Sequence, residues 1–395
     1  MRPRSISVLN FVTVVCVFVI LASNSIAIIG AEYGYYAFIA WLLYALLSNG
    51  TILMKVLSQP FLKYSFIYCL LLLATSLIGS DILWGIKVSA AFLLMIFPAI
   101  IISYYLILNK SPQSICLLMT LLVGVLSLYG SYFGYLDDDF GRSVTSGDYE
   151  GTQMAFGGVA MASGAAVFSV FIISQMVNRA IKVNIALILL LLSQIALVIT
   201  SGSTITTVCL FLFVLFCVIP NKHYNVLITT LVLFMFLCIV LHEQIGRLII
   251  EFGNSLTNRT SSERFVSLGA AVAFGENTAD SAYFFDRIDR PLLSLSTFFD
   301  NPIFGVAYKY GNNWDLAYKT GVGCHGEWAD ALARFGVFAF FYFKIFSSLL
   351  KQFKILSGKA WTYIWIVLGL VNPVVSFYSS LILFFIIPSW KLNRK

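Results

Sequence analysis

Long, uninterrupted apolar runs separated by short polar segments dominate the chain. A helix needs about 20 apolar residues to cross the hydrocarbon core of a bilayer, and most of these runs approach that length. Apolar residues are continuous in them and do not alternate with polar ones, which favours helices over the strands of a membrane barrel. The pattern predicts helices near 8–28, 33–48, 64–80, 82–107, 112–134, 153–177, 183–200, 204–220, 224–241 and 329–349, with a further apolar run at 361–390.

The last run, 361–390, is too long for one comfortable crossing and contains Asn372-Pro373 in its middle. Proline removes a backbone donor and clashes with the preceding turn, so it breaks or kinks a helix. We therefore expect two short helices that form a hairpin. This brings the total to about twelve transmembrane helices in an all-α, polytopic membrane bundle.

The distribution of positive charge supports this topology, because Lys and Arg collect in short cytoplasmic loops. With both termini cytoplasmic, that side carries no Asp or Glu, whereas a single long last helix would place Lys391, Arg394 and Lys395 outside. The basic residues on the predicted cytoplasmic side are Arg2, Arg4, Lys55, Lys63, Lys110, Arg179, Lys182, Lys222, Lys344, Lys351, Lys354, Lys359, Lys391, Arg394 and Lys395.

One large loop stands out on the opposite, extracytoplasmic side. The chain divides into helices one to nine at 1–241, this loop at 242–328, and the last three helices with a cytoplasmic tail at 329–395. Loops longer than about 12–15 residues tend to be functional or disordered, and this one is rich in Phe, Leu, Ile and Tyr. Within it we expect an amphipathic helix at 243–253, resting on the membrane or on the bundle. A second helix is expected at 289–299, with Asp289 as its N-cap and Pro291 in its first turn.

Composition agrees with a bilayer as the solvent of this chain. Of its 395 residues, 59% are hydrophobic and 11% charged, and the mean hydropathy is +0.90. The net charge of +7 follows the topology just described and does not indicate a nucleic-acid partner. Six of the seven cysteines fall inside apolar runs, which argues against disulfides and a cysteine metal site. No Walker loop, zinc spacing or nucleophile elbow is present, so neither a cofactor nor a metal is expected.

Five arginines lie in the large loop: Arg247, Arg259, Arg264, Arg287 and Arg290. The planar guanidinium donates two parallel hydrogen bonds and keeps its charge, which suits it to phosphate. Several arginines beside a lipid surface fit a lipid-linked diphosphate. The alternative is that they pair with nearby carboxylates or meet lipid headgroups.

The stretch 321–336 places His325, Glu327, Asp330 and Arg334 where the loop returns to the membrane. In a helix that begins near Glu327, the last three share one face and Asp330 can pair with Arg334. Ionisable residues at the mouth of a membrane bundle indicate a site, and His325 can accept a proton near neutral pH. The alternative is a capped helix with an internal salt bridge and Trp328 at the membrane interface.

These features together resemble a known family. One late outward loop with arginines in its first part, the motif Phe298-Phe299-Asp300-Asn301-Pro302-Ile303-Phe304-Gly305-Val306, and His325 opening a helix through Arg334-Phe335-Gly336 resemble the O-antigen and capsule polymerases (Wzy type) and the related O-antigen ligases. The specific resemblance covers about 264–340. Two departures are that Gly326 follows His325, and that Thr204 follows Ser201-Gly202-Ser203 where many members carry an Arg.

The resemblance implies an inverting, metal-independent glycosyltransferase in the bacterial cytoplasmic (inner) membrane, with its active site facing outward. It would polymerise oligosaccharide repeat units linked to undecaprenyl diphosphate, as both donor and acceptor, and a chain-length regulator is a candidate partner beside the membrane lipids. His325 is expected as the base, with Glu327 or Asp330 orienting it or the sugar. Because Thr204 lacks the family's charge, the diphosphate is assigned mainly to Arg264 and Arg290, with Arg287 and Arg334 as further candidates. The alternatives are an O-antigen ligase, which transfers polysaccharide to a lipid A core, and a polysaccharide flippase or other transporter.

Overall fold

In a computed structural model, the structure describes residues 8–23, 31–78, 82–83, 86, 97–108, 113–137, 158–219, 229, 233, 236, 239–256, 259–275, 278–310, 319–352, 360–372 and 374–392. All regular elements in these ranges are helical. They are α1 Val8–Ser23, α2 Ala31–Leu57, α3 Pro60–Ile78, α4 Phe97–Leu108, α5 Gln113–Leu136, α6 Val159–Val177, α7 Ile185–Thr200, α8 Thr204–Val218, α9 His242–Ser255, α10 Arg259–Phe274, α11 Ala282–Asp300, α12 Glu327–Phe335, α13 Ala339–Gln352, α14 Ala360–Val371, α15 Phe377–Leu381 and α16 Ile387–Leu392. A π-helical segment, Ile382–Ile386, joins α15 to α16.

Five helical segments of the described chain are long and apolar enough to cross a membrane: Tyr33–Leu57, Pro60–Ile78, Ile115–Leu136, Val159–Val177 and Glu327–Lys351. The last of these contains α12 and α13, joined by a tight turn at Gly336–Phe338. Six shorter apolar helices accompany them. The described elements confirm the all-α class, and the lengths of these helices are compatible with the membrane bundle that the apolar runs predict.

Helix α6 forms the centre of the bundle. Every residue from Met161 to Ile172 is buried, and α6 packs against α7, α8, α14 and α15. Small residues allow this: a Cβ placed on Gly164 would lie 3.1 Å from the backbone of Ser379 in α15. In a bilayer the hydrophobic effect does not drive helices together, so they associate by close packing through small side chains.

The predicted break in the last apolar run is confirmed. Helix α14 ends at Val371 and α15 begins at Phe377, with Ser376 as its N-cap. The Ser376 hydroxyl accepts from the backbone N–H of Ser379, and the Ser379 side chain returns a bond to the backbone of Ser376. A reciprocal cap of this type starts a new helix directly after a break.

The two helices predicted inside the large loop are both present, but one begins much earlier than expected. Helix α11 starts at Ala282, so Asp289 lies within it and is not an N-cap. The starting point is set from another helix, since the hydroxyl of Ser267 in α10 accepts from the N–H of Phe284 at 3.0 Å. Pro291 is tolerated in the helix interior. The N-cap residue itself, Ser281, makes no side-chain cap hydrogen bond.

The amphipathic helix expected at 243–253 is confirmed as α9, which packs against α10. Arg247 pairs with Glu243 at 2.7 Å on its polar side. Leu248 and Phe252 stay exposed on another side. Contact of that apolar side with the membrane remains a prediction.

The motif at Asn301–Val306 fastens the end of α11 to the end of α12. The N–H of Val306 donates to Ala333 O at 3.0 Å, and the N–H of Val337 donates to Pro302 O at 2.7 Å. Gly305 has φ +64°, and a Cβ added to it would overlap the backbone carbonyl of Arg334. We name this fastening, formed by 301–306 with 333–337, the clasp.

We expect Gly305→Ala to destabilise the protein by about 2 to 4 kcal/mol, because it adds left-handed strain and a steric overlap. Gly275→Ala is a matched control, since Gly275 has φ +68° but no atom within 4 Å of an added Cβ. It should cost only the backbone strain, about 1 to 2 kcal/mol. Thermal unfolding of both variants in detergent measures the difference, and equal losses would contradict the proposed overlap.

Candidate functional site

His325 lies at the entry to α12, in a short segment held against α11. Gly326 is the N-cap of α12, and His325 directly before it is half-buried. Its Nδ1 lies 3.0 Å from the carbonyl oxygen of Cys324 and 3.4 Å from Nη1 of Arg290 on α11. A carbonyl only accepts, and its contact is the shorter of the two, so we assign the ring proton to Nδ1. Nε2 then carries the basic lone pair.

Asp330 is buried and holds this segment in place through a small network. The Ser294 hydroxyl donates to Asp330 Oδ1 at 2.6 Å and accepts from the N–H of Gly323 at 2.8 Å. The backbone of Cys324 and Gly326 also lies close to the Asp330 carboxyl group. Through Ser294, Asp330 therefore contacts the backbone just before His325, and its orienting role stays a prediction.

Glu327 makes its contacts on the opposite side of the entry. The phenol of Tyr342 in α13 donates to Glu327 Oε1. The N–H groups of Val374 and Val375, in the break between α14 and α15, lie 3.3 and 3.4 Å from Oε2. Glu327 thus joins three helix ends, and its carboxylate is engaged in positioning.

Arg290 points toward His325 because its guanidinium is held from the preceding turn. Its Nε donates to Oδ2 of Asp286 at 2.8 Å. The pairing with a neighbouring carboxylate that the sequence allowed is therefore present, and it orients Arg290 while Nη1 faces the imidazole. A guanidinium braced in this way presents fixed donors to an incoming anion.

Arg264 lies against the turn between α7 and α8, a segment that is distant from it in sequence. A Cβ placed on Gly202, which has φ +65°, would lie 3.2 Å from Nη1 of Arg264. Gly202 is the centre of the Ser201-Gly202-Ser203 turn that Thr204 follows. The turn therefore has an arginine beside it, supplied from α10.

Two further arginines were predicted to bind the diphosphate, Arg334 and Arg287. Arg334 is half-buried, and its charge acts on the nearby thiol of Cys324. It also acts electrostatically on Glu327 and Asp330, so its charge offsets two carboxylates. The side chain of Arg287 lies outside the described part of the chain.

Two positioning residues were missed from the sequence. Ser294 follows Arg290 by one helical turn, so the spacing on α11 could have suggested that it shares a face with the site. Tyr342 lies in an apolar helix and carries no comparable signal. Cys324 is a third neighbour, with φ +58° and a thiol whose pKa is raised by burial.

The arrangement places one candidate base, His325, beside the guanidinium of Arg290, which Asp286 holds. A second guanidinium, that of Arg264, lies at the turn between α7 and α8. Among the described residues, no cluster of His, Cys, Asp or Glu could hold a metal ion. The chain matches no protein-family model, no curated protein and no solved structure in the comparisons made.

Proposed function

We propose that the chain is a membrane glycosyltransferase that polymerises oligosaccharide repeat units linked to undecaprenyl diphosphate into O-antigen or capsular polysaccharide. The reaction would take place on the outer face of the bacterial cytoplasmic membrane. The observation that carries the proposal is the position of the Arg290 guanidinium, whose Nη1 lies 3.4 Å from Nδ1 of His325 at the entry to α12. About twelve spans with both termini cytoplasmic form part of the same proposal, since they put this entry on the outer side.

The chemistry needs a base for the acceptor hydroxyl and cations for the leaving diphosphate. Nε2 of His325 takes the proton of the acceptor sugar hydroxyl, whose oxygen attacks the anomeric carbon of the donor. The bond between that carbon and the diphosphate oxygen breaks, and undecaprenyl diphosphate leaves with the bonding electrons. A single displacement of this kind inverts the anomeric carbon.

Arg290 and Arg264 hold the diphosphate in this scheme. Arg290 is braced by Asp286 beside the base, and Arg264 adds charge at the Gly202 turn, where many family members carry an arginine on the helix itself. Asp330 and Glu327 position the segment that carries His325, and Arg334 offsets their charge. No protein group needs to form a covalent bond to the sugar.

The test is to incubate purified protein with its lipid-linked repeat unit and separate the products by size. We expect a ladder of regular steps, each one repeat longer than the last. Transfer that occurs only when a lipid A core is added would assign the protein as a ligase. Unchanged substrate under both conditions would contradict glycosyl transfer and favour a transporter.

A further inference from the structure

Asn372 stands where three helix ends meet. It follows the last residue of α14 and is 6% exposed. Its side-chain Nδ2 donates to Thr206 Oγ1 at 3.1 Å and lies 3.4 Å from Ser203 Oγ, both at the start of α8. Its backbone carbonyl oxygen lies 3.5 Å from the backbone nitrogen of Glu327, the first residue of α12. One residue therefore contacts the starts of α8 and α12.

Each residue that Asn372 contacts lies close in sequence to part of the candidate site. On one side, Ser203 adjoins Gly202, over which Arg264 lies. On the other, Glu327 is two residues after His325, and its carboxylate also accepts from Val374 and Val375 just beyond Asn372. Arg264 lies on α10 and His325 directly precedes α12, and Asn372 contacts a residue close to each: Ser203 beside the Gly202 turn and Glu327 after His325.

We propose that Asn372 is a positioning residue that sets the placement of His325 relative to Arg264 by joining the start of α8 to the start of α12. This inference rests on the proposed function for its effect on catalysis. A displacement of about 1 Å between reacting groups costs on the order of 10²-fold in rate. The amide suits the task because its NH₂ group donates to two buried hydroxyls, which themselves bond to each other at 2.7 Å.

The test combines Asn372→Ala with Thr206→Val, which removes the accepting hydroxyl. We expect each single variant to lower kcat by about 10²-fold with little change in KM, because the diphosphate still meets Arg264 but is misaligned with the base. The double variant should be little worse than either single one, since both remove the same link. Thr206→Ser keeps the hydroxyl and should restore most of the rate.

Asn184→Ala is the matched control for loss of an asparagine at a helix end. Asn184 caps α7 by accepting from the N–H of Leu187 at 2.9 Å and is exposed. Its removal should lower thermal stability slightly and leave kcat unchanged. Additive losses of rate in Asn372→Ala and Thr206→Val, or an equal loss of kcat in Asn184→Ala, would overturn the proposal.

A second readout does not depend on the reaction. Alkylation of the native Cys324, quantified on its peptide by mass spectrometry, reports the position of the segment next to His325. Burial raises the pKa of this thiol, so alkylation at neutral pH should be slow in the wild type and faster once Asn372→Ala loosens the segment. Unchanged alkylation in Asn372→Ala would overturn the link itself. If the wild type fails to make polymer while the variants still accelerate alkylation, the proposed function fails and the link stands.

Discussion

Replacement of His325 by alanine should abolish polymer while leaving the protein inserted in the membrane. General bases contribute about 10² to 10⁴-fold to rate, so we expect kcat to fall by that factor. The loss should be one of chemistry, because Ser294 keeps its bonds to Asp330 and to the N–H of Gly323 and thus keeps the segment in place. The ladder assay with purified variant and lipid-linked repeat measures the effect.

A polar replacement distinguishes two contributions of His325, namely its basic nitrogen and its hydrogen bond to Cys324. His325→Asn keeps a donor near the Nδ1 position but has no basic nitrogen, so it should be as inactive as His325→Ala. His242→Ala is the control, since His242 is exposed at the start of α9, and it should retain full activity. Polymer of wild-type length from His325→Ala would remove this histidine from the mechanism.

Replacement of Arg290 by alanine should lower kcat/KM by about 10² to 10³-fold, the effect of removing one donor to the charge that develops in a transition state. Arg290→Lys should not restore the rate. A lysine ammonium cannot bond to Asp286 and also present a second fixed donor beside His325, whereas the guanidinium does both. Kinetics across a range of lipid-linked substrate concentrations measures both variants.

Arg247→Ala provides the control for lost positive charge. Arg247 pairs with Glu243 on an exposed face of α9, and exposed pairs of this kind contribute about 0 to 1 kcal/mol. Activity should therefore stay close to that of the wild type. If Arg290→Lys were fully active, the planar fork would have no role and a simple charge would suffice.

Hydropathy predicts most of the helices because apolar length is a property of each segment alone. The break after Val371 was also predictable, since Asn372-Pro373 signals it locally. The start of α11 was not, because its cap comes from Ser267 on another helix. Sequence patterns describe what a segment prefers, and they omit what a distant side chain supplies.

The candidate site divides in the same way. Glu327, Asp330 and Arg334 were predictable as neighbours from their spacing on one helix, and α12 carries all three, with His325 directly before its N-cap. The placement of Arg264 beside Gly202 was not, because it joins α10 to a turn between two membrane helices. The contact of Asn372 with α8 was missed for a related reason. The sequence marks Asn372 as a helix end, but it does not show that its side chain donates to Thr206 on another helix.

The clasp between 301–306 and 333–337 has a consequence for genetic screens. Under the proposed function, cells selected for loss of surface polysaccharide would carry substitutions at Gly305 and Gly336 as well as at His325. A damaged clasp and a missing base would both give cells that lack the polysaccharide. In the first group the amount of protein in the membrane would fall, since added side chains meet the backbone of Arg334 and Pro302. Quantifying the protein in each mutant would therefore distinguish the residues that stabilise the fold from those that the proposed reaction needs.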